Sequence, residues 1–214
     1  MPTGKKANKQ RKFAGGATCG AGTPFGGMPR IAAGALSEEQ TDLIIDGAVA
    51  AVHYTIPEAR ACLYQADLLR RLLAVSLPGS SFEMKLGAVN LHPRRADIEV
   101  ITFDPRPTGN LDDGFHAWLE NREGILLDCS MPISLHDEGY RIRRDEYFSH
   151  RDRTVPFEDF VLVYEELPEL ELVCPPEAER MMQQMVLAAA DVAPKPPGMI
   201  TMDVRWKPGR EPKS

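Results

Sequence analysis

Residues 115–128 read FHAWLENREGILLD, from Phe115 to Asp128. Phe115, Ala117 and Leu119 alternate with His116, Trp118 and Glu120, a period of two that marks a strand. Arg122-Glu123-Gly124 fits a three-residue hairpin loop, a type I turn closed by glycine in the left-handed conformation. A second strand follows from Ile125. That turn pairs Asn121 with Ile125, sets Trp118 opposite Asp128 and His116 opposite Ser130, and turns these four to one face. His116 and Asp128 are then diagonal neighbours, ~7–8 Å apart at the backbone and within side-chain reach. The other face shows Phe115, Ala117, Leu119, Ile125, Leu127 and Cys129, an apolar surface for a core. A slip of one residue would separate the histidine from the aspartate.

Working outward, helices precede this hairpin and more strands surround it. Ser37-x-x-Gln40 is a capping box, followed by an apolar stripe at Ile44, Ala48, Ala51 and Val52 that predicts a helix to about His53. Cys62, Ala66, Leu69 and Leu73 form the stripe of a second helix, with Leu68, Leu72 and Val75 beside it. A face that wide predicts packing against a sheet. Pro78-Gly79 ends it. The start of this helix has two readings: Thr55-x-x-Glu58 with Pro57 is a capping box that would put Cys62 in the second turn, whereas a start near Ala61 puts it in the first. Phe82 to Leu91 alternates with a phase shift at Gly87, predicting a strand with a bulge. Ile98–Phe103, Phe160–Tyr164 and Leu170–Val173 are further strands. Residues 104–114 form a loop, and 131–159 show little periodicity. Glu165–Glu171 reads as a solvated edge strand, and Pro175-Pro176 opens a last helix to about Val192. The expected class is α+β: N-terminal helices packed on an antiparallel sheet.

Three residues form a chemical constellation: Cys62 near a helix start, His116 on one strand and Asp128 on the next. A cysteine nucleophile needs a base to take its proton, and the base needs an acceptor that fixes its tautomer and orientation. A helix N-terminus adds a favourable dipole for a thiolate, strongest in the first turn. Each residue alone has a structural reading: a core thiol, a hydrogen-bonded strand histidine, a strand-ending carboxylate. Their order and shared hairpin face favour the joint reading.

CLYQADLLRRLL (62–73), FEMKLGAVNL (82–91) and FHAWLENREGILLD together resemble the transglutaminase-like branch of the papain-like cysteine protease superfamily, over residues 55–130. The matching features are a cysteine opening a helix, the His116-Ala117-Trp118 strand, a short turn and a strand ending in Asp128. The resemblance implies a papain-like core, catalytic Cys62, His116 and Asp128, and thiol chemistry on an amide, ester or thioester. It implies hydrolysis of a peptide or isopeptide bond in a peptide or protein substrate, with acyl transfer on the same residues, or a non-catalytic binding domain that keeps the fold, as alternatives. The chain departs from the papain pattern in one respect: no glutamine stands between Gln40 and Cys62 to build the oxyanion hole. The Cys62 N–H and one further donor, His53 or Tyr54, would have to serve.

Composition bounds the rest. The chain has 214 residues and a net charge of −6, with six Lys and Arg and no acid in residues 1–34, leaving −12 on the remainder. The expected organisation is a disordered basic Gly-rich tail (1–34), a papain-like domain (35–193) and a Pro-rich C-terminal tail (194–214). An acidic body argues against a general nucleic-acid binder; only the basic tail offers a route to nucleic acid. No apolar run reaches the ~20 residues of a membrane-spanning helix, and no secretory core follows the N-terminal lysines. Cys19, Cys62, Cys129 and Cys174 lack both zinc-ligand spacing and the density of a disulfide scaffold, so neither a metal nor another cofactor is expected and a reducing, cytoplasmic compartment is. His53, His92, His136 and His150 are scattered and show no metal-ligand spacing.

Overall fold

The structure, a computed structural model, describes residues 37–54, 61–79, 81–98, 100–140, 142, 148–189 and 202–212. The basic tail, Cys19, the Thr55–Glu58 capping box and residues 194–201 lie outside these. The elements in chain order are α1 (Glu38–Tyr54), α2 (Ala61–Ser76), β1 (Glu83–Pro93), β2 (Thr102–Phe103), β3 (His116–Glu120), β4 (Leu126–Asp128), α3 (Met131–Asp137), β5 (Phe148–His150), β6 (Thr154–Pro156), β7 (Phe160–Glu166), β8 (Leu170–Val173), α4 (Pro176–Ala189) and β9 (Asp203–Trp206). The fold is α+β.

The Ser37 capping box closes in both directions: Ser37 N–H donates to Gln40 Oε1 at 2.9 Å and Gln40 N–H to Ser37 Oγ at 3.2 Å. α1 then buries Ile44, Ala48 and Ala51. α2 is enclosed on most of its circumference, with Cys62, Leu63, Gln65, Ala66, Asp67, Leu68, Leu69 and Leu73 all buried. Its one buried charge, Asp67, accepts from Arg70 at 2.6 Å and from Arg71 at 2.8 Å, and Arg71 continues to Glu179 of α4 at 2.6 Å.

The main sheet is antiparallel throughout, in the order β5-β4-β3-β1-β7-β6, with β2 paired to β1. It separates two cores. On one face α1, α2 and α4 pack against Phe115, Ala117, Leu119, Ile125, Leu127 and Cys129, the apolar side expected of the hairpin. On the other, Trp118, Leu126, Met131, Leu135, Phe160, Leu162 and Tyr164 form a second cluster.

Four expectations are corrected. Gly87 carries no bulge: β1 pairs in unbroken register with β3 over Glu83–Gly87 and with β7 over Gly87–Pro93. The phase shift marks a close approach instead, since a Cβ at Gly87 would stand 2.0 Å from the Glu165 carbonyl oxygen and 2.8 Å from the Trp118 ring. Residues 131–159 hold α3, β5 and β6, of seven, three and three residues, each too short to show a period. Glu165–Glu171 is not one strand: it covers the end of β7, a turn and the start of β8, which is an edge strand of the two-stranded sheet with β9. Finally, residues 203–206, read as part of a tail, form β9 and pair with β8 from Leu170↔Trp206 to Val173↔Asp203. No described helix is long and apolar enough to cross a membrane.

Candidate active site

The hairpin that carries His116 and Asp128 has the register its turn predicts. Leu119 pairs with Leu127 and Glu120 with Leu126, and Asn121 N–H donates to the Ile125 carbonyl at 3.0 Å. Gly124 has φ +76°, a conformation that glycine adopts without strain. Asn121 Oδ1 accepts the N–H groups of Glu123 and Ile125, fixing the turn from inside. His116 opens β3 and Asp128 closes β4, so the two side chains meet at one end of the hairpin.

His116 Nε2 lies 2.7 Å from Asp128 Oδ2, and both residues are nearly closed to solvent, at 2% and 3% exposure. Cys62, in the first turn of α2 as described, lies near enough to the same imidazole to help raise its pKa. With Nε2 committed to Asp128, Nδ1 is the ring nitrogen left for the sulfur. The three residues singled out in the sequence are thus brought together.

The Asp128 carboxylate is saturated with donors. Oδ1 accepts from Ser130 N–H at 2.9 Å, Ser130 Oγ at 3.0 Å and Met131 N–H at 3.0 Å. Oδ2 accepts from Tyr164 Oη at 2.8 Å as well as facing His116. Burial alone would push this carboxyl up, but the His116 charge and these hydrogen bonds hold it below the usual range. Burial likewise opposes a charged imidazole at 116. The Asp128 charge and hydrogen bond, with a smaller contribution from Cys62, outweigh it and push His116 up to about 10. At neutral pH the ring is therefore an imidazolium, able to donate from both nitrogens at once. Burial and the Asp128 charge push the Tyr164 hydroxyl well above its ordinary value, so it stays a neutral donor. The neighbouring Cys129 thiol is pushed up by burial and by Asp128, which keeps it protonated and unreactive. Cys174 is raised by partial burial and by Asp67 and Glu179.

Aromatic rings enclose the pair. Phe103 and Tyr164 lie 6.0 and 6.1 Å from the His116 ring centroid, and Trp118 meets Tyr164 edge-on at 5.3 Å. Trp118 is fully buried and its indole N–H has no partner among the described residues. Neither suggested oxyanion donor is brought to the site. The Tyr54 hydroxyl donates to the Ala188 carbonyl at 3.1 Å, on α4, and His53 is exposed at the end of α1, edge-on to Tyr54 at 5.2 Å. Tyr164 is the residue sequence reasoning missed: it appears there only as the last apolar position of a strand, and nothing local signals the hydrogen bond that β7 brings to Asp128. The described residues contain no group of three His, Cys, Asp or Glu side chains placed to hold a metal ion.

No family model and no curated protein matches the chain. It is similar to a solved structure described as "The crystal structure of genomics APC5867", with 17% identity and a TM-score of 0.41, over 78% of this chain and 84% of that one. A likeness at that level carries no argument about fold or function.

Proposed function

We propose that the protein is a cysteine hydrolase of peptide or isopeptide bonds, of the transglutaminase-like branch of the papain-like superfamily. The observation that carries this reading is His116 hydrogen-bonded to Asp128, with Cys62 near enough to the same ring to help raise its pKa. In the proposed reaction the Cys62 sulfur, as a thiolate beside the His116 imidazolium, attacks the substrate carbonyl carbon and forms a C–S bond. The proton held by His116 passes to the leaving nitrogen as the C–N bond breaks, leaving a thioester. Water then attacks the thioester carbon, His116 takes one of its protons, and the C–S bond breaks to release the acid and restore the thiolate–imidazolium pair. Asp128 holds the ring in place and compensates its charge without itself becoming protonated. An amine in place of water would make the same site an acyltransferase. Thiol chemistry requires a reducing compartment, and cytoplasmic residence is part of the proposal; Cys62, Cys129 and Cys174 are all free thiols here.

A second reading, a non-catalytic domain that binds a peptide through the same fold, is favoured by one observation: Cys62 keeps only 9% of its surface exposed. One experiment separates the two. Protein alkylated with iodoacetamide at pH 6–7 is digested and mapped by mass spectrometry. The hydrolase reading expects Cys62 to react well ahead of Cys129 and Cys174. Equal or slower reaction at Cys62 overturns it.

A further inference from the structure

Gln65 presents the sharpest anomaly among the described residues. It is fully buried, and among the described residues neither Nε2 nor Oε1 of its carboxamide has a hydrogen-bond partner. A buried polar side chain is almost always satisfied, because leaving donor and acceptor both unmade carries the full desolvation cost of each. Apart from the Trp118 indole N–H, the other buried polar side chains among the described residues are satisfied: Asp67 is held by two arginines, and His116, Asp128 and Ser130 hold one another.

The position of Gln65 is what makes the anomaly informative. It stands three residues after Cys62 on α2. Side chains at i and i+3 are surface neighbours on a helix, with Cβ atoms roughly 5–6 Å apart. Helical side chains also lean toward the N-terminus, so Gln65 leans over the turn that carries the thiol. We propose that the Gln65 carboxamide is the substrate-recognition group of the Cys62 site and that it pairs with an amide of the substrate. This inference rests on the hydrolase reading and specifies its substrate class.

The chemistry of the carboxamide selects the ligand. A primary carboxamide, or a single residue of an extended peptide, presents one N–H and one C=O on the same side, which satisfies Oε1 and Nε2 together. An ester or thioester offers acceptors only and leaves Oε1 without a donor; a carboxylate or phosphate does the same and adds repulsion. A hydrocarbon satisfies neither. A site that loses a hydrogen bond on binding the wrong analogue discriminates far more sharply than one that loses only contact area. Gln65 is closed to solvent in this structure, so pairing requires that wall of the site to open. The two unmade hydrogen bonds weaken the closed state relative to the open one.

The test uses two neutral alkylating agents that differ in this one group, iodoacetamide and methyl iodoacetate. Alkylation rates at Cys62 are measured in the full chain and in Gln65→Met, with glutathione as reference thiol. The expected result is an amide-to-ester rate ratio at Cys62 about tenfold or more above that of glutathione, falling to the glutathione ratio in Gln65→Met. The thermal midpoint of Gln65→Met should equal or exceed the parent's, because the substitution removes two unsatisfied groups at similar volume. A ratio unchanged by Gln65→Met, with Cys62 still faster than Cys129 and Cys174, overturns the role of Gln65 alone. A lowered midpoint assigns Gln65 a structural role and also overturns the proposal. Slow alkylation of Cys62 by both reagents in the parent protein overturns this inference and the hydrolase reading together.

Discussion

Tyr164 and His116 converge on a single oxygen of Asp128, their donors 2.8 and 2.7 Å from Oδ2. One comes from β7 and the other from β3, two strands separated in the sheet by β1. The carboxylate is thereby oriented by three strands and by the start of α3, so no single loop sets its position. Tyr164→Phe removes the hydroxyl with almost no change in shape. Removing a hydrogen bond to a buried charge is expected to lower the unfolding free energy by about 1.5–3 kcal/mol. Urea unfolding of the two proteins reads this directly, as a lower midpoint at unchanged slope. A shift below about 0.5 kcal/mol would mean the hydroxyl carries no net interaction.

Stability should fall on the alkaline side. His116 titrates near 10 in the folded protein, above its ordinary 6.5. Its protonation therefore favours the native state, with the full contribution present below about 6.5 and lost as pH rises through about 10. Asp128, held below its ordinary value, contributes in the opposite sense. Its share is present above the ordinary carboxyl pKa and is lost as pH falls through the depressed one. Unfolding free energies at pH 6.5, 8 and 10 should decline in that order, and Asp128→Asn should flatten the decline. A decline of equal steepness in Asp128→Asn would show that another group is responsible.

Gly87→Ala tests the close approach that replaces the expected bulge. The added methyl would stand 2.0 Å from a backbone oxygen of β7, a contact that rotamer change cannot relieve. A loss of about 3 kcal/mol or more is expected, read as a lowered thermal midpoint. Because Gly87 pairs directly with His116, the alkylation rate of Cys62 should drop as well. An alanine variant as stable as the parent would refute the packing.

Arg71 joins the buried Asp67 to Glu179 and so fastens α2 to α4. Arg71→Met leaves Arg70 near Asp67 but removes one of its two counter-charges. The expected loss is about 3 kcal/mol, at the lower end for breaking a buried pair. The exposed pair Arg180–Glu177 on α4 is the control: Arg180→Met should change stability by less than about 0.5 kcal/mol.

What could be read before the structure was what short-range chemistry determines. The Gly124 turn fixed the hairpin register, and with it the meeting of His116 and Asp128, because a glycine-closed loop admits one pairing. Ser37 with Gln40, and Pro175-Pro176, announced helix starts through local hydrogen-bonding needs. What escaped was non-local. Tyr164 reaches Asp128 only because β1 intervenes between β3 and β7. Gln65 reads as an ordinary polar residue on a helix until the enclosure of α2 is known. α3, β5 and β6 are too short for periodicity, and β9 was hidden because proline-rich surroundings outweigh four residues of alternation.

The pairing of β9 with β8 has a temporal consequence. Tyr64, two residues after Cys62, donates its hydroxyl to the Met202 carbonyl at 3.3 Å and accepts the Met202 N–H at 3.4 Å, across 138 residues of chain. Tyr54 reaches Ala188 across 134. The helix bearing the thiol thus leaves the ribosome 138 residues ahead of the segment that secures its outer side. Contacts of such long span are slow to close. The hairpin can pair His116 with Asp128 before Met202 is made, whereas the seat of Cys62 is completed only after it. A nascent chain interrupted before residue 202 would display a preassembled His–Asp pair beside a thiol not yet held in place.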